Sequence, residues 1–153
     1  MTHIVISLGS NLGNSKETIE QAIAELLESV KELKRSTIIE TKPWGKEDQP
    51  NFFNAVITGE YERSPYELLS LIQSIEANHN RTREVKWGPR TLDLDIIAFG
   101  EEIITDSDLT IPHPFAHERE FVLAPWLEIE PEATLPGRGK VADLLDSIQQ
   151  DNQ

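Results

Sequence analysis

Asp93 and Asp95 occupy alternate positions of the segment Thr91-Leu92-Asp93-Leu94-Asp95-Ile96-Ile97-Ala98-Phe99. In an extended strand, residues two apart point to the same face, so the two carboxylates stand side by side while Leu92, Leu94 and Ile96 turn into a core. Two carboxylates so placed repel each other, and a bound cation removes the repulsion. Oxygen donors with no cysteine nearby favour a hard ion such as Mg²⁺, which keeps waters and substrate phosphates as its other ligands. The same alternation also suits the solvated face of an edge strand. The preceding segment weighs against that simpler reading, because Arg81, Arg83, Lys86 and Arg90 fall within ten residues of a strongly acidic chain. Positive charge beside metal-binding carboxylates is what a polyphosphate needs: arginine forks onto phosphate oxygens, and phosphoryl transfer is catalysed largely by positioning and charge neutralisation.

Other residues carry weaker signals. Trp87, followed by Gly88 and Pro89, puts an aromatic in a turn, where it either packs on a ligand or pins the loop. His113 and His117 are four apart, but Pro114 breaks the helix that a zinc pair would need, so His113 reads as a phosphate donor or a loop-fixing residue. Gly9-Ser10-Asn11-Leu12-Gly13 lacks the Walker lysine pattern and the Gly-x-Gly-x-x-Gly spacing, and it reads as a tight turn. Glu76 precedes the basic segment on a helical stretch, and spacing leaves open whether it faces the site or solvent. No Ser-His-Asp or Cys-His arrangement follows from spacing.

These residues need a scaffold, and the chain of 153 residues has the size of one domain. Hydrophobic residues are 38% and charged residues 27% of the chain, and no apolar run approaches the ~20 residues of a membrane span. The apolar stretch from Ile4 to Leu8 is too short for a signal-peptide core and reads as a first strand. The absence of cysteine removes disulfides, thiolate nucleophiles and cysteine-bound zinc, and it leads to a cytoplasmic expectation. A formal charge of -13 opposes general attraction to nucleic acid or anionic lipid.

Asn14 with Glu17 resembles a capping box, and Ile19, Ala22, Ile23, Leu26, Leu27, Val30 and Leu33 continue at helical spacing. Thr37 to Thr41 reads as a second strand and Phe52 to Tyr61 as a third. Ser64-Pro65-Tyr66-Glu67 combines an N-cap serine, proline at the first helical position and glutamate at the third, opening a second helix. Strand, helix, strand, strand, helix, strand suits an antiparallel sheet covered by helices on one face, the ferredoxin-like α+β plan. C-terminal additions follow: Ile103-Ile104, the Pro-His-Pro segment at 112–114, a helix near His117 to Leu127 and another from Val141.

Trp87-Gly88-Pro89-Arg90-Thr91-Leu92-Asp93-Leu94-Asp95-Ile96 closely resembles the signature of the 6-hydroxymethyl-7,8-dihydropterin pyrophosphokinase family. Leu8-Gly9-Ser10-Asn11-Leu12, Asp48-Gln49-Pro50 leading to Phe53-Asn54-Ala55, and Pro112-His113 with Arg119 and Phe121 extend the likeness over residues 3–135. The resemblance implies one pyrophosphokinase domain over 1–153 that transfers the terminal diphosphate of ATP to the pterin hydroxymethyl group and releases AMP. It implies two Mg²⁺ on Asp93 and Asp95, with Arg81 and Arg90 as catalytic cations. It implies a nucleotide site of Gln73, Glu76, Arg81, Arg83, Trp87, Arg90, Ile96, Thr110, His113 and Arg119. For the pterin it implies Thr41, Pro43, Trp44, Phe52, Asn54, Asp93 and Phe121, with Phe52 and Phe121 stacking on the ring. The partners expected are these two small molecules, with no nucleic acid or membrane, and the expected state is a monomer. The segments near 42–51 and 80–90 are expected to act as lids. Two rivals stand beside this reading: a metal-dependent phosphohydrolase using the same residues, and an acidic interaction module whose basic loop docks a partner.

Overall fold

Strand β1 (Thr2–Ser10) alternates Ile4, Ile6 and Leu8 toward one face with Val5 and Ser7 toward the other, and this period of two runs through the fold. The computed structural model describes residues 1–11, 13–42, 51–80 and 92–151. After β1 come α1 (Ser15–Leu27), β2 (Lys31–Arg35), β3 (Ile39–Thr41), β4 (Phe52–Tyr61), α2 (Pro65–Asn80) and β5 (Asp93–Phe99). The sheet order is β2-β4-β1-β5, with β3 also paired to β4, and every pairing is antiparallel. This is the ferredoxin-like order expected from the sequence, with β1 and β4 at the centre.

One face of the sheet presents Ile4, Ile6, Leu8, Ala55, Ile57, Leu94 and Ile96 to α1 and α2, which answer with Ile19, Ile23, Leu26, Leu68, Ile72 and Ile75. These are the helices expected on one face, and the C-terminal additions cover the other. Beyond β5, the short strands β6 (Ile104–Thr105) and β7 (Thr110–Ile111) lead through a 3-10 turn at Ala116–Glu118 into α3 (Glu120–Ile129). The hairpin of β8 (Thr134–Leu135) and β9 (Gly139–Lys140) then feeds α4 (Val141–Asp151). Val122, Leu123 and Trp126 of α3 and Val141 of α4 bury Val5, Val56, Ile97 and Ala98 on the second face.

Three local readings change. The helix expected to run toward Leu33 stops at Leu27, because Val30 turns into the core outside it and Lys31–Arg35 pairs with the edge of β4. That pairing overrides the helical preference of a Lys-Glu-Leu-Lys-Arg run. Gly9 and Ser10 continue β1 rather than forming a turn. Asn14 caps α1 without a side-chain bond to the helix backbone, its amide donating instead to Glu17 Oε2 at 2.7 Å. The second helix start holds as expected, with Glu67 N–H donating to Ser64 Oγ at 3.1 Å.

Candidate active site

Strand register assembles the site in rows on the second face. Directly opposite residues of antiparallel strands share a face, so Ile39, Asn54, Gly9 and Asp93 form one row across β3, β4, β1 and β5. Val56, Ser7 and Asp95 form the next. Thr41 and Phe52 lie one row beyond Asn54, and the Asn54 amide reaches Thr41 Oγ1 at 3.5 Å. The two carboxylates therefore stand on the same face as the polar and aromatic residues of β3 and β4. They are half-buried, whereas Leu92, Leu94 and Ile96 are in the core.

A β-bulge fixes the next component. The register of β1 and β5 shifts between Val5 and Ile6, which inserts Ile97 as an extra residue, and Ile97 and Ala98 both join the second-face cluster. The Ile97 carbonyl accepts from His113 N–H at 3.0 Å, which docks the Pro112-His113 segment beside β5. His113 Nδ1 accepts from Phe115 N–H at 3.1 Å, so the neutral ring carries its proton on Nε2, which lies 3.9 Å from Asp95 Oδ2. Burial and the Arg119 charge push the imidazole down to about 4, with Asp93 acting against them. Arg119 precedes α3, with its guanidinium 5.9 Å from the Phe115 ring centroid and 5.6 Å from that of Phe121.

On the edge of β5 away from β1, Leu94 N–H donates to Glu76 Oε2 at 2.8 Å. Glu76 faces the site, a direction that helical spacing left open. Burial, together with the charges of Asp93 and Asp95, pushes its carboxyl up to about 7 against the opposing Leu94 N–H bond. Asp93 and Asp95 offer oxygen donors alone, the kind a hard divalent cation takes, and could hold one together with waters and substrate oxygens; among the described residues no group of three or more His, Asp or Glu side chains is gathered to hold one by itself. Gln73 lies one turn before Glu76 on the same side of α2 and is exposed.

The chain matches the family described as 7,8-dihydro-6-hydroxymethylpterin-pyrophosphokinase over residues 5–131. It belongs to that family. It is 48% identical over 135 residues to the 2-amino-4-hydroxy-6-hydroxymethyldihydropteridine pyrophosphokinase of Bacillus subtilis strain 168, covering 84% of this chain and 81% of the relative. It is 42% identical over 142 residues to the enzyme of the same name from Haemophilus influenzae, covering 92% and 89%. Among solved structures, Plasmodium falciparum HPPK-DHPS superimposes with a TM-score of 0.75 over 99% of this chain at 15% identity, a likeness of fold. The present chain spans about half of that longer one, 47%. The protein is thus a pyrophosphokinase with an α+β fold.

Of the residues the family resemblance singles out, Thr41, Phe52, Asn54, Glu76, Asp93, Asp95, His113, Arg119 and Phe121 border the second face or the adjoining edge of β5. Pro43, Trp44, Arg81, Arg83, Trp87 and Arg90 lie outside the described residues, as do nearly all of the two expected lid segments. Ile96 has its side chain in the core beneath the sheet, so only its backbone can meet a nucleotide; strand alternation points its N–H the same way as that of Leu94, away from β1. Thr110 is exposed at the start of β7. Sequence reasoning missed Gly9 as part of the row, Phe115 beside Arg119 and the bulge at Ile97. Strand alternation carried past Leu8 would have found the first; the sequence carries no signal for the bulge.

Proposed function

We propose that the chain transfers the terminal diphosphate of ATP to the hydroxymethyl group of 6-hydroxymethyl-7,8-dihydropterin and releases AMP, a step of folate biosynthesis. The observation that carries this reading is the row joining Asn54 to Asp93 across Gly9, beside Phe52, Thr41 and the His113–Asp95 pair. A flat heterocycle suits the aromatic and amide side of that row, and a polyphosphate suits the carboxylate and histidine side. Asp93 and Asp95 would hold two Mg²⁺, which supply charge neutralisation on the phosphate oxygens and in-line alignment of the reacting groups.

Phe52 and Phe121 stack on the pterin, while Thr41, Pro43, Trp44, Asn54 and Asp93 fix its edge. His113 Nε2–H and Arg119 donate to phosphate oxygens, joined by Arg81, Arg83, Trp87 and Arg90. Gln73, Glu76, Thr110 and the Ile96 backbone border the nucleoside. The hydroxyl oxygen bonds to the β-phosphorus as the bond from that phosphorus to the bridging oxygen of AMP breaks. The hydroxyl proton passes to water, and Arg81 and Arg90 offset the negative charge that AMP carries away. Incubation with Mg²⁺, ATP and the pterin tests the proposal: AMP and a pterin diphosphate form together. AMP that fails to appear, or that appears equally without pterin, overturns it and, in the second case, favours hydrolysis.

A further inference from the structure

We infer that Gly9 is a positioning residue of the pterin site: its missing side chain keeps open the lane between Asn54 and Asp93 and lets the Asn54 carboxamide lie across the central strand. The inference rests on the proposed reading that Asn54 meets the pterin.

Strand β1 is central, paired with β4 on one side and β5 on the other, and Gly9 is opposite Asn54 and Asp93 at once. A side chain there would project onto the same face as both, into the space between them. Glycine in a strand interior weakens it, and its usual justification is a backbone conformation that other residues avoid. Gly9 has no such need. Positive φ is found at Gly13, Gly100, Gly137 and Gly139, whereas Gly9 is ordinary extended backbone.

Close packing is the other usual reason, and Gly59 illustrates it. A Cβ there would fall 2.3 Å from Val30 Cγ1 and 2.9 Å from the Lys31 carbonyl oxygen, both within the packed body. At Gly9 the nearest atom among the described residues is Asn54 Oδ1, 3.1 Å from where a Cβ would stand, and the next is the Phe53 carbonyl oxygen at 3.9 Å. Gly9 is partly exposed between buried Leu8 and Ser10, so among the described residues the space above it is open apart from that amide. The Asn54 carboxamide is thus held with its amide toward Thr41 and its oxygen over Gly9. An added methyl must push the oxygen away, and the position of Asn54 moves while the carboxylates on β5 stay in register.

The test is Gly9→Ala, with Gly9→Val as a larger step, assayed for KM of the pterin, KM of ATP and kcat, alongside a thermal melt. Gly9→Ala should raise the pterin KM about tenfold, the size of one lost hydrogen bond, and Gly9→Val further. The ATP KM and kcat should stay within about twofold, because the loss is in uniform binding of one substrate. The melting temperature of Gly9→Ala should equal or exceed that of the parent, since alanine restricts the unfolded chain at a position it can occupy. That combination of weaker pterin binding with undiminished stability separates positioning from packing. A parent-like pterin KM in Gly9→Ala overturns the inference, as does a variant that fails to fold or loses both substrates equally. A parent protein that makes no pterin diphosphate overturns the underlying reading instead.

Discussion

At the scale of single residues, the proposed chemistry centres on the paired aspartates. Asp95 has His113 on one side and shares its strand face with Asp93, while Glu76 closes the outer edge of the same strand. Asp95→Asn keeps the shape and removes one charge. The expected outcome is a fall of about 10²–10³-fold in diphosphate transfer, the size seen when one preorganised electrostatic contributor to a transition state is removed. The same variant should show a smaller rise in melting temperature than the parent when Mg²⁺ and a non-hydrolysable ATP analogue are added, because a ligand stabilises only the fold that binds it. Parent-like turnover of the variant would remove Asp95 from the site. Alternation alone made the pairing of Asp93 and Asp95 legible, since a period of two is enough to align them. The direction of Glu76 was not, because a helix places it by packing against a strand edge that the sequence does not announce.

At the scale of elements, the capped start of α2 makes a separable prediction. Ser64 accepts from Glu67 N–H at the end of the helix remote from Glu76, about 18 Å along the axis at 1.5 Å per residue. Ser64→Ala should lower stability by about 1 kcal/mol, or about 2–4 °C in a melt for a chain of this size. Both KM values and kcat at 25 °C should be unchanged, since the cap touches none of the site. A melt that does not move would show that the cap contributes nothing. This helix start was readable because serine, proline and glutamate act within four residues. Strand β2 was not readable: Lys31–Arg35 contains good helix formers, and its strand geometry comes from a partner more than 20 residues away, Ile57 to Glu60. The bulge is of the same kind. Ile97 is one apolar residue among several, and only the register against Val5 and Ile6 makes it an insertion that carries His113 to Asp95.

At the scale of the whole molecule, α3 must be pinned across the second face for Arg119 and Phe121 to border the site, and its far end is held by charge. The Glu128 carboxylate accepts from Thr37 N–H and Oγ1–H, each at 2.9 Å, between β2 and β3. Glu130 accepts from Trp126 Nε1–H at 2.8 Å and faces His3 Nε2 on β1, while His3 Nδ1 lies 2.6 Å from Glu60 on β4. Both imidazole nitrogens face carboxylates, and only the protonated ring donates to both. Burial opposes that charge, and the hydrogen bonds and charges of Glu60 and Glu130 outweigh it, so the His3 pKa is raised. A raised folded-state pKa gives stabilisation that is full below the unfolded value of about 6.5 and is lost as pH rises through the folded value. The ring is 46% exposed, so solvent screening holds the contribution below about 1 kcal/mol. Melts of the parent and His3→Gln should therefore differ by up to about 3 °C near pH 6 and converge toward pH 9. Added salt should narrow the gap at the lower pH, as it does for exposed charges. A gap that is the same at both pH values would mean that His3 joins sheet and helix by packing alone, with no part played by its proton.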